Sequence, residues 1–226
     1  MSSIAVETPV LRLVVELEPS NYATREREIP DTEDISGWSA YFSDSLADAG
    51  LVGVRPLQPK SWLVDAEGLD ASALAAVVSV HLPEPETLEA GDLGDLPPLA
   101  GGFALYDGDS LLVEPTCCAD AGDLDGWVEA VDSGAEWAML WIGHPWLEAR
   151  ALDGEKLALR ETAEYPSPEP LRQFVLSRAA VERAITGARS QQKALAAQIA
   201  VVGRGLAGVA NLDVEQLGRA LAGFRS

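Results

Sequence analysis

From Val10 to Leu17 the chain alternates, with Leu11, Leu13, Val15 and Leu17 on one side and Arg12, Val14 and Glu16 on the other, the period of a half-buried strand. After the polar run Asp31 to Asp34 the period lengthens. Ile35, Trp38, Phe42, Leu46 and Ala49 recur at steps of three and four, which predicts a helix that Gly50 is placed to end. Strands are expected around 51–54, 62–64 and 77–82, with a short helix opening at Asp70. Residues 83–101 are rich in Pro, Gly, Glu and Asp and read as a surface loop or an inter-lobe connection.

Beyond that loop, Phe103 to Tyr106, the turn residues Asp107 and Gly108, and Leu111 to Glu114 read as a β-hairpin. Asp123 is placed to cap a short helix carrying Leu124, Trp127, Val128 and Val131. The apolar run Trp137 to Ile142 predicts a central strand, with Trp137, Met139 and Trp141 on one face and Ala138, Leu140 and Ile142 on the other. A second hairpin is expected from Leu147 to Leu152, Asp153-Gly154 and Lys156 to Arg160.

The last third changes period again. Ser167 and Pro168 are placed to open a helix, and Leu171, Phe174, Arg178, Val181, Ile185, Ala188, Gln192, Leu195, Ile199, Val202 and Leu206 follow steps of three and four. That stripe predicts one long amphipathic helix, or two meeting near Gly187, packing on the rest of the chain or pairing with a second copy through residues 168–206. Asn211 or Asp213 should cap a final short helix with Val214, Leu217 and Leu221. Strands around helices with two Asp-Gly hairpins give an α+β fold, an antiparallel or mixed sheet with flanking helices. The domain expectation is an acidic α+β domain over 1–165, with a sub-lobe break at 83–101, followed by a helical segment over 166–226.

Composition adds one constraint. The chain has 226 residues, 36 Asp or Glu against 16 Lys or Arg, and a net charge of −20. A protein that neutralises phosphates needs surplus cations, so direct nucleic-acid binding is excluded as a general function. Residues 1–150 hold 28 acids and six bases, whereas 151–226 hold eight acids and ten bases. Between Lys60 and Arg150 there is no Lys or Arg, and 18 carboxylates occur. Unless the C-terminal segment folds across them, those carboxylates make a sustained negative potential, which keeps a protein soluble or attracts a basic partner. The N-terminus lacks the basic start and apolar core of a signal peptide, no apolar run approaches a membrane span, and the only cysteines, Cys117 and Cys118, are adjacent. A cytoplasmic protein with no membrane association is expected.

Little in the chain carries reaction chemistry. Gly203-Arg204-Gly205-Leu206-Ala207-Gly208 matches G-x-G-x-x-G, but the 18 residues that follow leave no room for the second strand and acid a dinucleotide site requires. A helix end is the better reading, and no cofactor is expected. Cys117, Cys118, His81 and His144 do not have zinc-site spacing. His144, near Glu136 and Glu148 in sequence, is a candidate general base, though no nucleophile or metal motif accompanies it. Trp146, after Pro145, is the best candidate for an exposed aromatic anchor.

Gly102-Phe103-Ala104-Leu105-Tyr106-Asp107-Gly108, then Leu112-Val113-Glu114-Pro115, Asp123-Leu124-Asp125-Gly126-Trp127 and Glu136-Trp137 through Ile142-Gly143 together resemble the SUKH superfamily of toxin–immunity systems. The shared order is a hairpin, a loop into a short helix bearing a Trp, and an apolar strand ending in Gly. It spans about residues 95–165. The resemblance implies an α+β protein that binds and neutralises a toxin, often a nuclease. The leading expectation is therefore a non-catalytic, immunity-type binding module. Its partner-binding residues would be Asp107, Asp109, Glu114, Asp120, Asp123, Asp125, Trp127, His144 and Trp146, facing a basic toxin or nuclease domain. The alternatives are an assembly protein that associates through its C-terminal helix and a hydrolase using His144.

Overall fold

The computed structural model describes residues 3–82, 93, 95–115, 118–141, 146–162, 172–209 and 212–224. The fold is α+β, with two sheets and helices beside them. Two compact units divide the chain, one formed by residues 1–13 and 100–192 and the other by 14–99 and 193–226.

The first unit is built on a five-stranded sheet. Its strands are β1 (Ile4–Val6), β6 (Ala138–Trp141), β7 (Trp146–Ala151), β8 (Lys156–Thr162) and β9 (Gln173–Ser177), in the order β1-β9-β8-β7-β6. The pairs from β6 to β9 are antiparallel, and β1 joins β9 in parallel. The same unit holds the hairpin β4 (Gly101–Asp107) and β5 (Ser110–Val113), turned at Gly108 with its φ of 58°. Beside the hairpin runs the first half of β2 (Pro9–Glu16). The second hairpin turns where the Asp153 carboxylate accepts the N–H groups of Glu155 and Lys156, each at 2.8 Å. Both Asp-Gly hairpins are as the sequence predicts. Phe103, Trp127, Leu147, Leu159 and Phe174 are buried in this unit.

In the second unit the later half of β2 pairs with β3 (Leu63–Asp65). Helix α1 (Ile35–Asp48) starts where the Asp34 carboxylate accepts the Gly37 N–H, and it buries Phe42 and Leu46. Helix α5 (Val214–Leu221) is capped by Asp213. The strand expected at 51–54 is a turn, because Gly50 and Gly53 adopt φ of 84° and 83° and break the extension. The strand expected at 77–82 is instead the end of helix α2 (Ala71–His81). Asp70 caps that helix by accepting the Ala73 N–H, and Leu74, Val77 and Val78 fall on one buried helical face.

Two further readings change. The run at Trp137 to Ile142 supplies β6, an edge strand and not a central one, flanked by α3 (Leu124–Val131). In the predicted long helix, Ser167, Pro168 and Leu171 lie outside the described residues, and Gln173–Ser177 is β9. There Phe174 and Leu176 are buried while Gln173 and Val175 are half-exposed, which is a strand's period and not a helix's. Helix α4 (Arg178–Gly203) follows at once and runs unbroken through Gly187. Val181, Ala188, Gln192, Leu195 and Ile199 of its stripe are buried within the chain.

Candidate protein-binding surface

Helix α3 sets the geometry of the best candidate surface. Leu124, Trp127, Ala130 and Val131 are buried, so Asp125, Val128, Glu129 and Asp132 point outward at steps of three and four. The helix lies close on β6 because residue 126 is glycine: a Cβ there would stand 2.6 Å from the Leu140 carbonyl oxygen. The guanidinium of Arg178 donates to the Val131 carbonyl at the helix C-terminus, where a cation is favoured by the helix dipole. Past the helix, Glu136 is exposed, as are Met139 at 41% and Val128 at 38%. The outer face of α3 is thus Val128 among three carboxylates, Asp125, Glu129 and Asp132. Glu129, Asp132 and Glu136 have no ion pair among the described residues.

Of the expected contact residues, five fall into two groups and the other four stand singly. Asp120, Asp123 and Asp125 do gather at the start of α3. The Asp120 carboxylate accepts the Gly122 N–H at 2.6 Å, and the Asp123 carboxylate accepts the Asp120 N–H at 2.9 Å. Asp125 is ion-paired with Arg189 of α4 at 3.1 Å. Asp107 and Asp109 sit at the β4–β5 turn and face the N-terminal residues: Asp107 accepts the Thr8 N–H at 2.7 Å, and Asp109 pairs with Arg12 at 2.8 Å. Arg12 in turn lies 4.4 Å from the Tyr106 ring centroid. Glu114, after β5, is half-buried. Trp127, at 1% exposure, belongs to the core and offers no contact surface, which corrects its expected role. Trp146 is half-exposed on β7. His144 lies outside the described residues.

Charge also distributes differently in space than along the sequence. The segment between Lys60 and Arg150 has no cation of its own, but Arg12 and Arg189 reach Asp109 and Asp125 from outside it. The first unit holds 17 carboxylates and eight cations, a net of −9, and the second 19 and eight, a net of −11. The contrast between 1–150 and 151–226 therefore does not become a contrast between the units. Glu129, Asp132 and Glu136 were absent from the expected set. The spacing 125, 128, 129, 132 is the signal that would have found most of the surface, since it is the complement of the buried stripe on the same helix.

The other candidates for chemistry carry less. His81, near the end of α2, bonds through Nε2 with the Pro97 carbonyl at 2.9 Å. Cys118 is exposed with φ of 70°, and Cys117 lies outside the described residues. Among the described residues no group of three or more His, Cys, Asp or Glu could hold a metal ion. The G-x-G-x-x-G run follows a helix, since Ile199 to Val202 belong to α4, and Gly203 packs against Val214 and Leu217 of α5. Among the described residues no helix is long and apolar enough to cross a membrane. Comparison of the chain with family models, curated proteins and solved structures gave no match.

Proposed function

We propose that the chain is a non-catalytic binding module of the immunity type, which occupies a basic surface of a toxin or nuclease domain with the outer face of α3. The observation that carries this reading is the pair Glu129 and Asp132, exposed, without ion pairs among the described residues, and set beside the exposed Val128 on the outer face of α3. Carboxylates around a small apolar centre suit an interface in which charge speeds encounter and rejects wrong partners while the apolar contact holds the complex. The resemblance to the SUKH superfamily supports the choice of a toxin as partner, and nucleases present basic active sites. Asp120, Asp123 and Asp125 extend the same acidic surface towards the start of α3.

The test is calorimetric titration of the full chain against basic nuclease domains, beginning with one encoded beside its gene, at several salt concentrations. Affinity should fall roughly tenfold or more as salt rises through the range where the screening length drops below about 10 Å. The double substitution Glu129→Lys with Asp132→Lys should abolish binding and leave the fold intact. Binding that ignores both salt and the charge reversal would overturn the reading.

A further inference from the structure

The outer face of the five-stranded sheet carries a cluster of different chemistry. Across β7 and β8, Trp146 stands opposite Thr162 and Glu148 opposite Arg160, and Met139 of β6 stands opposite Glu148, so these side chains share one face. Leu147, Ala149, Leu157 and Leu159 take the buried face. Just before β6, Trp137 holds the guanidinium carbons of both Arg150 and Arg160, 4.6 and 4.3 Å from its ring centroid. An indole ring attracts a cation through its quadrupole but satisfies none of the guanidinium's N–H donors.

The two arginines differ. Arg160 is neutralised by Glu148, Nε to carboxylate oxygen 2.5 Å. Arg150 has no ion pair and no hydrogen-bond partner among the described residues, and its Nε is shut away from water. That is unexpected in a chain where carboxylates outnumber cations 36 to 16. Among the described residues of this face the unmatched charge is positive, and it lies among Trp137, Met139 and Trp146, residue types enriched at contact surfaces.

We propose that this sheet face docks an acidic segment of a partner protein, a carboxylate of the segment meeting Arg150 and its apolar side chains lying on Trp137, Met139 and Trp146. Charge complementarity selects the occupant: a basic segment would meet Arg150 as a like charge, and a neutral one would leave the guanidinium without a counterion. The surface is separate in its chemistry from the acidic face of α3, so one can fail without the other.

The experiment uses the full chain with its tryptophan indoles labelled for NMR, titrated with a short synthetic peptide of Glu and Leu and, as control, one of Lys and Leu. The Glu peptide should shift the Trp137 and Trp146 indole signals saturably, and the Lys peptide should not. Arg150→Gln should weaken binding by roughly fivefold or more, while Glu129→Lys with Asp132→Lys should leave it unchanged. Should Arg150→Gln fail to fold, Trp146→Leu, on the far end of the same face, gives the same reading. Unmoved Trp137 and Trp146 signals, or affinity left unweakened by Arg150→Gln or Trp146→Leu, overturn the proposal. So do shifts that depend on protein concentration without peptide, which would make a second copy the occupant.

Discussion

The side-chain amide of Gln191 accepts the backbone N–H of Leu13 at 2.8 Å and donates to the carbonyl of Leu11 at 2.9 Å. One carboxamide on α4 thus bonds two backbone groups of β2 in the way a neighbouring strand's peptide would. β3 pairs with β2 only at Val14 to Glu16, so the residues before Val14 would otherwise leave an open edge. Removing the amide strands a donor and an acceptor beside the buried Leu11 and Leu13. Gln191→Ala should therefore cost about 1–3 kcal/mol. Gln191→Glu should cost a similar amount at neutral pH, because it keeps the acceptor and loses the donor. Urea unfolding of both variants measures this, and an unchanged midpoint would show that water replaces the amide without loss.

Two helical glycines should respond in opposite directions to the same substitution. At Gly126 a methyl group would meet the Leu140 carbonyl oxygen at 2.6 Å, so α3 must move away from β6. Overpacking of that kind costs about 1–3 kcal/mol, more than the gain in helix propensity returns. At Gly187, exposed in the middle of α4, nothing lies within 4 Å of the added carbon. Gly187→Ala should stabilise by about 0.5–1 kcal/mol, and Gly126→Ala should destabilise. Thermal melts of the two variants give the comparison directly.

Two carboxylates in the second unit should give stability opposite pH slopes. Burial, with Glu18 adding to it, raises the Glu16 carboxyl above its ordinary 4.5. The folded state therefore favours protonated Glu16, and ionisation at neutral pH costs stability. Glu16→Gln should be more stable than the natural protein at pH 7, with the gain vanishing as pH falls below 4.5. Asp48 is held below its ordinary 3.8 by the Thr24 N–H and by the Arg27 guanidinium. Its contribution is present at neutral pH and is lost as pH falls through the depressed value. Asp48→Asn should thus lower stability at pH 7 and lose that effect in strong acid. Denaturant midpoints collected from neutral to acidic pH separate the two signs.

The elements most legible in the sequence are those whose signals are local. Asp107-Gly108 and Asp153-Gly154 announce their turns, and Asp34, Asp70 and Asp213 each cap the helix they precede. The elements that differ from their local pattern depend on neighbours distant in the chain. Val77 and Val78 are β-branched and read as strand, but the Asp70 cap and the packing of one face keep them helical. Phe174 fits the spacing of the long stripe, yet it pairs with Leu159 of β8 and Ile4 of β1, a pairing that no local pattern around Phe174 reveals. Met139 and Leu140 read as a central strand because an apolar run carries no mark of being at an edge covered by a helix. The acidic surface was legible as a region and not as a set of residues. Arg12 and Arg189 neutralise two expected members from 97 and 64 positions away, and the exposed set on α3 appears only once Trp127 is known to face inward.

The polypeptide passes between the two compact units three times, inside β2, between Leu99 and Ala100, and inside α4, so neither unit is a continuous stretch of sequence. No single stop codon can deliver either of them alone. A fragment ending near Tyr165 would lose β9, the neighbour that β1 and β8 share, and would leave β1 without its partner in the sheet. Its loss of binding would report unfolding and not the role of a helix. Separating the units calls for joining residue 13 to residue 100, or 99 to 193, through a designed link.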